Sequence, residues 1–120
     1  MLIKEMKCEV EAAHKEAFSK AQSRWEELKY VNGFIKQAGG WRKNKNGMFT
    51  AMVIGVWEDQ QTYEEFMINE HDRIYANTKQ QGTFHSIQVK LYQEKPPVDT
   101  ERFLMTSNVQ REPGWTIQRQ

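Results

Sequence analysis

The sequence predicts one α+β domain whose elements run strand, helix, strand, strand, helix, strand, with an antiparallel sheet. Three observations predict it. Short stretches with period-two patterning alternate with two longer stretches whose apolar residues recur every three or four positions. An Asn46-Gly47 pair sits between the second and third strands, where it favours a tight hairpin. The 120 residues suffice for one core and not for two.

The first strand is read over Leu2–Val10. Leu2, Met6, Cys8 and Val10 share one face, and Lys4 interrupts their apolar run. A helix is read from about Ala12 to Lys29, with Ala13, Ala17, Ala21, Trp25 and Leu28 on its stripe and Phe18 widening it. Val31-Asn32-Gly33 ends it, because Asn and Gly tolerate the left-handed conformation of helix stops. Phe34–Arg42 is the second strand. Its Gly39-Gly40 pair marks a bulge or a backbone that something approaches closely.

Met48–Trp57 is the third strand and carries the most architectural information. Ala51, Val53, Gly55 and Trp57 point one way, and Met52, Ile54 and Val56 the other, so both faces are apolar. A strand with one wet face would alternate. This one needs two covers. The two helices supply one; a partner subunit or the C-terminal tail must supply the other.

Asp59 is the expected N-cap of the second helix. Tyr63, Phe66, Met67, His71, Ile74 and Tyr75 form its stripe, and Gln81-Gly82 ends it. Phe84–Tyr92 alternates cleanly as the fourth strand. Pro96-Pro97 closes the ladder, so the domain is read as residues 1–95. Residues 96–120 are a C-terminal extension that packs on its own domain or on a partner's. This order is the split βαβ, ferredoxin-like unit.

Composition narrows the function classes. A net charge of +1 leaves no electrostatic footprint for nucleic acid, and the basic run from Lys36 to Lys45 is read as a solvated hairpin. No apolar run approaches the roughly 20 residues that cross a bilayer, so no membrane partner is expected. Cys8 is the one cysteine, which excludes an intrachain disulfide and a Cys-rich zinc site and points to the cytoplasm. The three histidines have no metal-ligand spacing, so no metal is expected. The aromatics, with 4 Trp, 6 Phe and 4 Tyr, supply a core that the average polarity conceals.

Within this frame a few residues carry chemistry. His71 and Tyr75 are four apart and share a helix face directed at the sheet. With Trp57 they would line a pocket holding an imidazole and a phenol for proton transfer. The competing reading makes both of them core residues with satisfied polar ends. Trp25, Trp41 and Phe66 are candidate walls for an apolar ligand, or ordinary core aromatics. His85, on the Ile87 face, would reach the pocket or an interface. Cys8 is read as an apolar filler rather than a nucleophile.

The stretches WEELKYVNGFIKQAGGW and VIGVWEDQQTYEEFMINEHDRIYA resemble the dimeric α/β-barrel superfamily, with its antibiotic-biosynthesis-monooxygenase-like and haem-degrading members. The pattern VWED, then Y..FM, HDRIYA and QGT, is similar to a small uncharacterised bacterial family, the YdbC-like proteins. The resemblance spans about residues 1–95. It implies a homodimer with two sheets face to face, and a pocket between each sheet and its own helices. It also implies a small apolar or aromatic ligand and a cofactor-independent, monooxygenase-like activity. A ligand-binding or stress-associated dimer without turnover is the alternative. Haem-degrading relatives carry an Asn on the first strand and a Trp and a His on the second helix. Here the first strand has no Asn, Phe66 stands at the Trp position, and His71 falls about a turn before the His position. Haem degradation is therefore disfavoured and no cofactor is expected; haem binding without degradation, with His71 in a shifted register as the iron ligand, is the weaker alternative.

Overall fold

The computed structural model describes residues 1–44 and 46–120. Lys45, the end of the basic run, lies outside the described residues. Strand β1 (Leu2–Glu11) leads through a 3₁₀ turn (Ala12–His14) into helix α1 (Lys15–Gln22), which continues as an eight-residue 3₁₀ stretch (Ser23–Tyr30). Strands β2 (Phe34–Lys43) and β3 (Met48–Trp57) form the hairpin. Helices α2 (Gln60–Asn69) and α3 (His71–Thr78) precede β4 (Ser86–Gln93). The tail adds α4 (Thr100–Thr106), β5 (Gln110–Arg111), a 3₁₀ turn (Pro113–Trp115) and β6 (Ile117–Gln118). The sheet order is β4-β1-β3-β2-β5, with β6 also on β2, and every pairing is antiparallel. The predicted α+β, ferredoxin-like class is the observed one; the sheet is open. Among the described residues, no helix is long and apolar enough to cross a membrane.

Local chemistry sets most of these boundaries. Asp59 caps α2 by accepting a hydrogen bond from the Thr62 N–H at 2.8 Å. Gly33 takes a positive φ of 86° after the 3₁₀ stretch, and a Cβ there would lie 2.1 Å from Thr62 Oγ1, so both backbone and space demand glycine.

Two helical expectations need correction. The first helix is not one α-helix: its buried row is Phe18, Ala21, Gln22, Trp25 and Leu28, while Ala13 and Ala17 are exposed. In a 3₁₀ turn, residues three apart eclipse one another. Gln22, Trp25 and Leu28 therefore fall in one line. The second helix breaks at Glu70, whose φ and ψ are −130° and −29°. No Gly or Pro marks the break; tertiary contacts make it. Arg24 donates to the Thr78 carbonyl at 3.0 Å, and Arg73 pairs with Glu27 at 2.9 Å, which docks α3 on the 3₁₀ stretch.

The tail answers the question posed by β3. On one sheet face, Val98 and Leu104 pack against Ile3, Ala38, Ile54 and Val56. The chain then passes the β2 edge, where β5 and β6 add short ladders. It ends on the other face, where Trp115 joins Phe18 and Trp41 and Ile117 joins Phe34 and Trp57. The Gly39-Gly40 pair is explained by this close approach rather than by a bulge. A Cβ on Gly40 would lie 2.2 Å from the Gln110 carbonyl oxygen, and one on Gly39 2.9 Å from the Trp115 ring. The register shift in β2 falls instead between Phe34 and Lys36.

Candidate functional site

On the helical face of the sheet two apolar clusters meet, one around Trp57 and Phe66 and the other around Phe18 and Trp41. Between sheet and helices lies a cavity of about 440 Å³, whose wall takes residues from both clusters. This volume lies within the range of small-molecule sites. The sheet supplies Lys4, Met6, Cys8, Gln37, Val53, Gly55 and Trp57; α2 and α3 supply Tyr63, Phe66, Met67, His71 and Tyr75. The 3₁₀ row contributes Gln22, Trp25 and Leu28, and β4 contributes Ile87 and Val89.

Of the residues singled out from sequence, His71, Tyr75, Trp25, Trp57 and Phe66 come together on this wall. Trp41 does not. It is buried behind the wall, 5.5 Å from Phe18 and 5.2 Å from Trp115 between ring centres. His85 does not either. The β4 ladder begins at Ser86, so His85 precedes it, exposed, with its backbone N–H donating to the Glu9 carbonyl.

The His71 ring has three aromatic neighbours. Tyr75 stacks on it at 5.9 Å with planes 8° apart, Trp25 lies at 5.6 Å, and Phe66 meets it edge-on at 5.7 Å. His71 Nδ1 lies 3.0 Å from the Asp72 carboxylate. With Nδ1–H donating there, Nε2 remains the accepting nitrogen. Trp25 is fixed by a buried amide relay. Its indole N–H donates to Gln80 at 2.9 Å, and the Gln80 amide donates to Gln22 at 2.7 Å.

Electrostatics follow burial. Loss of water raises the Tyr75 phenol, with nearby Cys8 adding to the effect, and raises Tyr63 likewise. Burial pushes the Cys8 thiol up to about 12, which keeps it protonated, as expected of a filler rather than a nucleophile. Burial also brings the Lys4 ammonium down to about 8. By surface area Lys4 is only partly buried, and it lines the cavity. Sequence reasoning treated Lys4 as an interruption of an apolar face. That interruption was the signal that a charged group belongs inside. Gln37, Gln22 and Gln80 were missed altogether, since nothing in their spacing distinguishes them from surface glutamines.

A family model described as Domain of unknown function (DUF4937) matches residues 2–92. A Bacillus subtilis (strain 168) protein described as Uncharacterized protein YdbC is 50% identical over 117 residues, which cover 98% of each chain. The chain belongs to the DUF4937 family. Solved structures extend the likeness to fold. SnoaB, a cofactor-independent oxygenase from Streptomyces nogalater, is 14% identical with a TM-score of 0.61, over 81% of this chain and 95% of its own. The haem-degrader MhuD from Mycobacterium tuberculosis, with two haems bound in its active site, is 14% identical with a TM-score of 0.63, over 82% of this chain and all of its own, 100%. The DUF4937 chain thus shares the fold of antibiotic-biosynthesis-monooxygenase-like proteins, as its sequence resemblance implied.

Proposed function

We propose that this chain binds a small apolar or aromatic molecule in the cavity and acts on it as a cofactor-independent, monooxygenase-like enzyme. One observation carries the reading. An apolar cavity between sheet and helices has on its wall an imidazole whose Nδ1 is held by a carboxylate and, four residues later, a phenol. His71 Nε2 is the base that takes a proton from the substrate. Asp72 fixes the tautomer and stabilises the imidazolium that forms. Tyr75, its phenol raised and therefore protonated at neutral pH, is the hydrogen-bond donor. The phenolate so formed gives its electrons to dioxygen: one oxygen atom forms a carbonyl at the ring carbon that loses its hydrogen, and the other leaves as water with that hydrogen and the proton held on His71, giving a quinone, while the chain supplies proton removal and orientation.

In oxygen-uptake assays with a panel of fused-ring phenols, His71→Ala is expected to lower turnover about 10²- to 10⁴-fold, and Tyr75→Phe to lower it less. Turnover equal to wild type in both variants would reject the assignment. One observation favours a ligand-binding protein without turnover: the Asp72 side chain is 98% exposed, and an exposed carboxylate acts weakly on an imidazole. Stoichiometric binding with no oxygen uptake would select that second reading.

Haem fits this site poorly. The ring centres of Trp25, Phe66 and Tyr75 all lie within 6 Å of the His71 ring centre, so aromatic side chains crowd the one imidazole that would ligate the iron. No step is assigned to it.

The same proposal makes the chain a cytoplasmic homodimer. The tail, through Val98 and α4, covers Ile54 and Val56, so that sheet face does not call for a partner. What now favours a partner is edge strand β4, where Ile87, Val89 and Leu91 are 49%, 49% and 44% exposed in one row beside an unpaired ladder. Light scattering is expected to give twice the 14.2 kDa chain mass; a monomer at micromolar concentration would refute the dimer.

A further inference from the structure

We propose that the cavity is built for an apolar molecule that carries one anionic oxygen group, held over Gly55 by Lys4, Gln37 and Trp57. This rests on the reading of the cavity as a ligand site and names the ligand's class.

Lys4, Gly55 and Gln37 stand side by side on β1, β3 and β2, since Gly55 is the register partner of both. Facing residues of neighbouring strands project to the same side of a sheet. Gly55 projects nothing, so a gap opens there. An added Cβ would have no neighbour closer than Trp57 Nε1 at 3.7 Å, with Gln37 Oε1 at 3.8 Å and Lys4 Cβ at 4.0 Å. An alanine would fit. Packing therefore does not require the glycine, whereas a ligand group resting on the floor of the cavity gains room from it.

The groups around the gap lack acceptors. Gln37 Nε2 is buried with no hydrogen-bond partner, and an orphaned buried donor is destabilising unless something accepts from it. The Lys4 ammonium has no carboxylate: every ion pair among the described residues lies elsewhere. Its recorded partner is the face of Tyr63, 5.3 Å away. A partly buried cation without an anion is unfavourably placed, and natural interiors pair such charges. An anionic oxygen set over Gly55 would meet the Lys4 ammonium and the Trp57 indole N–H directly, and a turn of the Gln37 amide, whose Oε1 now lies nearer the gap, would bring its orphaned Nε2 to the same oxygen, while Trp57, Phe66 and Val53 receive the apolar body. If the substrate is deprotonated in the site, the same donors stabilise the oxyanion of its enolate or phenolate form.

The ammonium is mostly protonated at pH 7 and becomes neutral above pH 8. Ionisable groups facing it are Cys8 on its own strand, Tyr63 on α2, and His71 and Tyr75 on α3; Leu91 from β4 and Gln37 from β2 are uncharged. Burial raises Cys8, Tyr63 and Tyr75 above their ordinary values, so none of them gains charge near pH 8, where the lysine titrates. Measuring the pH profile in His71→Gln as well removes the remaining group.

The probes are 2-naphthoate and the neutral, near-isosteric 2-naphthalenemethanol, titrated against the whole chain by tryptophan fluorescence. At pH 7 the carboxylate is expected to bind about tenfold or more tighter, the worth of a charged hydrogen bond. Lys4→Gln and Lys4→Met are expected to abolish the preference while leaving alcohol affinity within about twofold; Lys4→Arg is expected to retain it. Above pH 8 the preference is expected to fall about tenfold per unit. Equal binding of both probes by wild type, or a preference that survives Lys4→Gln and Lys4→Met, overturns the anionic class while the cavity reading stands. Binding of neither probe overturns both.

Discussion

Lys4→Met is expected to stabilise the ligand-free protein by about 2 kcal/mol at pH 7. Most truncations of a charged residue destabilise or do nothing. This one removes a cation held in a cavity wall with no anion beside it. Burial takes the ammonium from 10.5 down to about 8. A depressed lysine means that the unfolded chain binds more protons than the folded one between these two values. Wild-type stability therefore rises with pH from about 8 to 10.5, and the penalty is present in full below 8. The shift corresponds to about 3 kcal/mol at most, reduced to about 2 because the side chain is only partly buried. Urea unfolding of both proteins at pH 7 and pH 10.5 checks this. The methionine variant should be ahead at pH 7 and level at pH 10.5. A wild type that is the more stable at pH 7 would show that Lys4 has found an internal partner. Retaining a destabilising charge in a cavity is the cost expected of a functional residue.

Trp115→Ala is expected to cost about 3–5 kcal/mol, out of a total of about 5–15 for a domain of this kind. Trp115 is fully buried and lies 5.8 Å from Phe18 and 5.2 Å from Trp41 between ring centres. Its indole N–H donates to the Ser19 carbonyl and hydroxyl, each at 3.2 Å. Gly39 leaves the seat for the ring. The residue anchors the far end of a strap whose other end, α4, covers Ile54 and Val56. Loosening it should weaken the β5 and β6 pairings with β2, and with them the cover of both sheet faces. Chemical denaturation monitored by far-UV circular dichroism gives the value. A loss below about 1 kcal/mol would mean that the tail docks on a domain already stable without it.

What could be read in advance divides along the range of the interaction. The strands were legible because their patterning is a local property, and Met48–Trp57 falls where its apolar run after the Asn46-Gly47 turn places it. Asp59 was legible as a cap because capping involves only the next three residues. The 3₁₀ stretch and the break at Glu70 were not, because α3 and Ser23–Tyr30 adjust to each other across the fold. Trp115 was legible as an apolar residue seeking a place, but its place, 96 positions from Ser19, is a tertiary fact. Five of the seven residues proposed for the pocket or its chemistry reach the wall. His85 misses because the strand starts two residues later than the pattern indicated, and Trp41 because its side chain turns toward the tail. Lys4 was visible all along as the charge that spoiled an apolar face. Its meaning needed the neighbours on β2 and β3, which no linear spacing supplies.

A crystal structure of the wild-type chain grown with 2-naphthoate tests most directly whether a ligand-sized cavity carries an anion seat at its floor. The expected map shows the fused rings between Trp57 and the His71 helix, with the carboxylate within hydrogen-bonding distance of Lys4 Nζ and Gln37 Nε2. Helices closed down on the sheet with no space between them, or naphthoate bound with its carboxylate pointing away from Lys4, would contradict it.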